Sequence, residues 1–113
     1  MDLRINTKTL NGIPVIELEG EVDVYTAPRV KSRLIDLVDE GKFQIIVNLE
    51  AVDFMDSSGL GVLVGGLKRV KPHDGGIAIV CTKDKILKIF KITGLTKVFS
   101  IYSSTEEALQ SIG

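Results

Sequence analysis

The apolar positions change period several times along the chain. Leu3 and Ile5 alternate with Arg4 and Asn6, a period of two that predicts a half-buried strand, and Asn11-Gly12 supplies the two positive-φ residues of a tight hairpin turn. Setting Leu10 opposite Ile13 places Ile5 across from Leu18 and Arg4 across from Glu19, so apolar and opposite-charge pairs share one register. Pro14 then falls at a non-hydrogen-bonded site of the pairing, where its missing N–H faces the other side of the strand.

After Gly20-Glu21-Val22-Asp23 the period moves toward 3.6. Val30, Leu34, Leu37 and Val38 predict a helix with Thr26 as N-cap, Pro28 in its first turn and Gly41 at its end. Phe43 to Leu49 is short, β-branched and almost continuously apolar, which predicts the central strand of a parallel sheet. Leu60, Leu63, Val64, Leu67 and Val70 predict a helix from Ser57 to Lys71, although Gly59, Gly61, Gly65 and Gly66 each weaken it.

Gly76 to Cys81 reads as another buried strand. Lys83, Lys85, Lys88 and Lys91 interleave with Ile86, Leu87, Ile89, Phe90 and Ile92, predicting a helix with a basic face that Gly94 ends. Val98 to Tyr102 is a last strand, and Ser104 with Glu107 forms a capping box before Ala108, Leu109 and Ile112. The order ββαβαβαβα predicts one α/β domain over residues 1–113, a β-hairpin followed by a mostly parallel sheet. With right-handed crossovers and sequential strand order, it winds as a β-α superhelix with helices mostly on one face.

Composition narrows the function. With 44% hydrophobic and 26% charged residues, the chain has enough apolar surface to fold, which excludes intrinsic disorder. The formal net charge of −1 provides no field for nucleic acid or an anionic bilayer, so neither partner is expected. Cys81 is the single cysteine and His73 the single histidine; they leave no internal disulfide and no zinc site, and fit a reducing cytoplasm. The longest apolar or glycine stretch, Gly59 to Leu67, is far below the roughly 18 to 20 residues of a spanning helix, and the first residues lack a signal-peptide core.

Catalytic signatures are missing. A serine triad needs a histidine base, and His73 lies in the turn-like Lys71-Pro72-His73-Asp74-Gly75, which reads as surface. The glycines complete neither a dinucleotide fingerprint, since Val64 stands at the third glycine position, nor a nucleotide P-loop. No cofactor or enzyme activity is expected. Two readings of the glycines stand: close helix-to-sheet packing, or a small-residue surface that lets a partner approach the backbone.

The segment Phe54-Met55-Asp56-Ser57-Ser58-Gly59-Leu60-Gly61 puts two hydroxyls and a carboxylate between a parallel strand and its following helix, the end of an open α/β sheet where sites are built. Asp56 or Ser57 as N-cap accounts for part of it without any function. Asp23 occupies the same end one strand earlier, either beside Ser57 or as a cap or turn residue of its own.

Asp56-Ser57-Ser58-Gly59-Leu60-Gly61, after Asn48-Leu49 and Phe54-Met55, resembles the signature of STAS-domain anti-sigma factor antagonists. Gly20-Glu21-Val22-Asp23, Ile92-Thr93-Gly94-Leu95 and Val98-Phe99 extend the likeness over essentially the whole chain. The resemblance implies a cytoplasmic partner-switching protein of the β-α superhelical type. Unphosphorylated, such a protein binds an anti-sigma factor that is a serine kinase of the histidine-kinase ATPase type, and frees the sigma factor. The kinase phosphorylates the serine after the motif aspartate, here Ser57, and a metal-dependent PP2C-type phosphatase reverses it. Ser58 is then the neighbour rather than the acceptor, Asp23 and Asp56 are flanking acids, and Gly59, Leu60 and Gly61 belong to the switch surface.

Two other readings fit a single α/β unit of this size. A response-regulator receiver is also a single α/β unit and would accept phosphate on Asp56, but it needs an acidic pair after its first strand and a lysine at the end of its last. A STAS module serving a transporter, a lipid-trafficking complex or a stress-sensing assembly keeps the fold and changes the task. The basic face from Lys83 to Lys91 reads as solvated.

Overall fold

A computed structural model describes residues 2–112. Asn11 and Gly12 take φ of 53° and 79°, so β1 (Leu3–Leu10) and β2 (Ile13–Val22) form the expected hairpin, with Leu10 opposite Ile13, Ile5 opposite Leu18 and Arg4 opposite Glu19. The chain continues through α1 (Ala27–Asp39), β3 (Gln44–Met55), α2 (Ser57–Val70), β4 (Gly76–Val80), α3 (Asp84–Ile92), β5 (Ser100–Tyr102) and α4 (Thr105–Ile112). Short 3-10 turns lie at Lys71–His73 and Leu95–Lys97. The sheet runs β1-β2-β3-β4-β5 with only the first pair antiparallel, so β3 is central.

Alternation along β3 explains its continuous apolar run. Ile45, Val47 and Leu49 enter one core with Leu34 of α1, Leu63 of α2 and Phe90 of α3. Ile46 faces the other way and joins Val15, Ala78, Val80 and Ala108 of α4. Three helices thus share one face and α4 covers part of the other. Each fully buried Leu, Ile or Phe contributes about 1.5–3 kcal/mol. Phe90 also meets Phe99 edge to face, with centroids 6.1 Å apart and planes at 82°, which ties α3 to the segment before β5.

Several boundaries depart from the periodicity. The central strand begins at Gln44 and runs on to Met55 rather than ending at Leu49. Its last pairing with β4 is Asn48 with Val80, whereas β2 stays paired to it as far as Val22 with Met55. With one side open, the projecting part holds Glu50 and Asp53, which break the apolar signal. The β4–α3 connection braces it: the Thr82 amide donates to Glu50 Oε2 at 2.8 Å, and Lys83 Nζ donates to the Val52 carbonyl at 3.0 Å and reaches Asp53 at 3.4 Å. The second helix stops at Val70, Lys83 is the N-cap of α3, and the last strand is cut to Ser100–Tyr102 because Val98 closes a 3-10 turn. At α4 the Glu107 amide donates to Ser104 Oγ at 3.1 Å, but the Glu107 carboxylate reaches Ser103, so the capping box is shifted by one residue on its return side.

Candidate functional site

β2 and β3 end side by side, Val22 paired with Met55 and the Asp56 amide donating to the Val22 carbonyl at 3.2 Å. The next residue on each strand is an aspartate. Asp23 and Asp56 therefore open the two adjacent loops at the carboxyl end of the sheet, as their places in the sequence suggest.

Asp56 is the N-cap of α2. Its Oδ1 accepts from the Ser58 amide at 2.9 Å and the Gly59 amide at 3.4 Å, and also from the Ser58 hydroxyl. The carboxylate meets two of the orphan donors of the first turn. Ser57, the first helical residue, is exposed, and none of the hydrogen bonds among the described residues uses its hydroxyl. The two adjacent serines thus differ in kind: Ser58 is held by the cap and Ser57 stands free.

Asp23 is committed to its own turn. Its Oδ1 accepts from the amides of Tyr25 at 2.9 Å and Thr26 at 3.0 Å, while its amide donates to Thr26 Oγ1 at 2.9 Å. The Thr26 hydroxyl is also within 2.9 Å of the Glu21 carbonyl. Thr26 precedes α1 as expected, but its side chain makes no capping bond to that helix; its oxygen is spent on Asp23. Desolvation raises the Asp23 pKa, but the amides of Thr26 and Tyr25 and the Thr26 hydroxyl outweigh it and hold the carboxyl below the usual aspartate range.

The remaining motif residues divide by side of the helix. Gly59 and Leu60 are buried and Gly61 is exposed. A Cβ on Gly59 would lie 2.7 Å from Val22 Cγ1 and 2.9 Å from Met55 Cγ, whereas one on Gly61 or Gly65 meets nothing within 4 Å. Close packing therefore accounts for Gly59, while Gly61 and Gly65 leave the outer side of α2 bare. With Ser58, Val62, Lys31 and Lys68 they line a groove of about 470 Å³ beside α1.

Sequence reasoning missed the apolar collar around this end. Val24 is 62% exposed, Tyr25 83% and Phe54 39%. Val24 and Tyr25 follow Asp23, and Phe54 pairs with Glu21. The available signal was three large apolar side chains beside two aspartates in turn positions, but period alone cannot tell an outward residue at a strand end from an inward one. His73 is exposed and stacks on Phe43 at 3.9 Å between ring centroids; it follows α2 and precedes β4, at the opposite end of the sheet from Ser57.

Comparison with known proteins matches the STAS domain model to residues 4–108. An anti-sigma-B factor antagonist of Staphylococcus aureus is 39% identical over 106 residues, 94% of this chain and 98% of that protein. Among solved structures, an anti-sigma factor antagonist from Mycobacterium paratuberculosis superposes with a TM-score of 0.91 at 24% identity, covering 97% of this chain and 93% of that one. The Bacillus cell fate determinant SpoIIAA in its phosphorylated form gives a TM-score of 0.77 at 24% identity, covering 97% of this chain and all of the other.

Proposed function

Because this chain belongs to the STAS domain family, we propose that it acts as an anti-sigma factor antagonist whose docking is gated at Ser57. In this reading the unmodified protein binds a serine-kinase anti-sigma factor and releases the sigma factor. The kinase then places phosphate on Ser57, and a PP2C-type phosphatase removes it. The names of the 39% identical relatives support the class of function.

One observation carries the assignment to Ser57: of the two adjacent hydroxyls, Asp56 holds that of Ser58 while that of Ser57 is exposed and unengaged. Val24, Tyr25 and Phe54 supply exposed apolar area at the same end of the sheet, and Gly61 keeps the neighbouring backbone open to approach. Such a face buries Ser57 when a partner docks.

The gate follows from charge. A phosphoserine carries about −1.5 to −2 charges at neutral pH. On Ser57 it gains from the positive end of the α2 dipole, but the Ser58 and Gly59 amides are already taken by Asp56, whose carboxylate repels it. The phosphate is therefore best accommodated pointing to water, which leaves the fold unchanged. Docking would bury it among Asp23, Asp56 and an apolar collar. An uncompensated buried charge costs several kcal/mol, and about 4 kcal/mol weakens binding by roughly a thousandfold.

Calorimetry with the kinase partner tests this. Ser57→Ala should fold and bind as the wild type but take no phosphate, and Ser57→Asp should bind weakly. Gly61→Glu should fold and bind poorly. Mass spectrometry placing the phosphate on Ser58, or equal capture of modified and unmodified protein, would overturn the proposal.

A further inference from the structure

The basic helix α3 and the turn after it build a second surface. Two grooves meet at Val98. One, of about 530 Å³, has an apolar floor of Val64, Leu67, Pro72, Leu95 and Val98, with Lys68 and Lys71 also lining it. The other, of about 540 Å³, runs between α3 and β5 and takes in Leu87, Phe99 and Tyr102 with Lys91 and Lys97. Val98 is 51% exposed and Ile92, at the end of α3, is 74% exposed.

Charge here is one-sided. In a chain of net charge −1, four lysines and no carboxylate line these two grooves. The ion pairs among the described residues, Lys8 with Glu17 and Lys83 with Asp53, use none of the four. We infer that this surface docks an acidic amphipathic segment of a partner protein, its apolar side chains in the grooves about Val98 and its carboxylates against Lys68, Lys71, Lys91 and Lys97. A bilayer needs a broad protruding apolar face, and here only Val98 and Ile92 are both apolar and strongly exposed, whereas the shallow grooves that meet at Val98 can each take single side chains of a docked segment. Complementary charge speeds the encounter and sets its salt dependence, and the buried apolar side chains hold the complex.

The surface is separate from the Ser57 face. Leu67 lies roughly 15 Å along α2 from Ser57 at the 1.5 Å rise per residue, beyond the roughly 8 Å screening length at physiological ionic strength. Binding here should therefore be indifferent to charge on Ser57; that corollary rests on the gating proposed above, and the binding itself does not.

The test titrates the isotope-labelled full chain with a 14-residue Glu/Leu amphipathic peptide, with the same peptide carrying Lys for Glu, and with phosphatidylserine vesicles, following amide shifts. The acidic peptide should shift Leu67, Lys71, Leu95 and Val98, bind at least fivefold more weakly to Lys71→Glu/Lys97→Glu, and weaken as salt rises. The Lys peptide should not bind, and Val98→Asp should lose binding while keeping the wild-type melting temperature. Shifts confined to Tyr25 and Phe54, equal binding of both peptides, or capture by vesicles without peptide binding would each overturn the inference. If peptide binding holds but Ser57→Asp binds its kinase normally, the gate fails and this surface stands.

Discussion

Substituting alanine for glycine at three positions of α2 separates packing from surface. In a helix interior the change gains about 0.5–1 kcal/mol, chiefly by removing backbone entropy from the unfolded chain. At Gly61 and Gly65 the new Cβ meets nothing within 4 Å, so the gain is kept. At Gly59 it would lie 2.7 Å from Val22 Cγ1 and 2.9 Å from Met55 Cγ. Neither atom moves freely: Val22 is β-branched and stiff at χ1, and Met55 Cγ is close to its own backbone at the paired end of β3. Overpacking of this kind costs about 1–3 kcal/mol. Gly59→Ala should therefore be less stable than Gly61→Ala by roughly that amount, with Gly61→Ala and Gly65→Ala above the wild type. At about 4 °C per kcal/mol for a domain near this size, the melting temperatures of Gly59→Ala and Gly61→Ala should differ by roughly 4–12 °C. Urea unfolding followed by circular dichroism, with unchanged m-values, gives the same comparison as free energies. If Gly59→Ala proved as stable as Gly61→Ala, helix and sheet would not approach as closely as described, and the division of the motif into an inward and an outward half would fail.

Two further outcomes follow from the carboxylates. Asp56→Ala should cost about 1 kcal/mol by stranding the Ser58 and Gly59 amides, and Asp56→Asn should recover most of it; equal losses in both variants by urea unfolding would show that the acceptor oxygen is not what matters. Asp23 and Glu17 both have carboxyls held below their usual range, Glu17 first through the Asn6 amide and then, against opposing desolvation, through Lys8. A depressed folded-state pKa gives stability that is present above the unfolded value of about 4 and is lost as the pH falls through the folded value. Urea midpoints of the wild type should thus drop below about pH 4, and Asp23→Asn should flatten part of that limb while the Glu17 part remains; parallel curves would refute the role given to Asp23.

Much of this molecule is legible along the chain. The hairpin register, the element order and the existence of the central strand follow from local information, because a turn dictated by positive φ at Asn11 and Gly12 sets every pairing between β1 and β2 and because apolar period reports the face of each element. The Asp56-Ser57 turn is legible for the same reason, since a cap is a contact between residues two and three apart. The far end of β3 is not. Glu50 and Asp53 break its pattern, and among the described residues it is Thr82 and Lys83, some thirty residues later, that meet their carboxylates there.

Local chemistry, then, determined the elements, the turn and the two aspartates at the ends of neighbouring strands. Tertiary structure decided which side of α2 each glycine serves, and that Val24, Tyr25 and Phe54 face water at this end of the sheet. The physical reason is that these depend on the distance to atoms from other elements. A residue's own neighbours in the chain say nothing of whether Val22 lies 2.7 Å away or open solvent does.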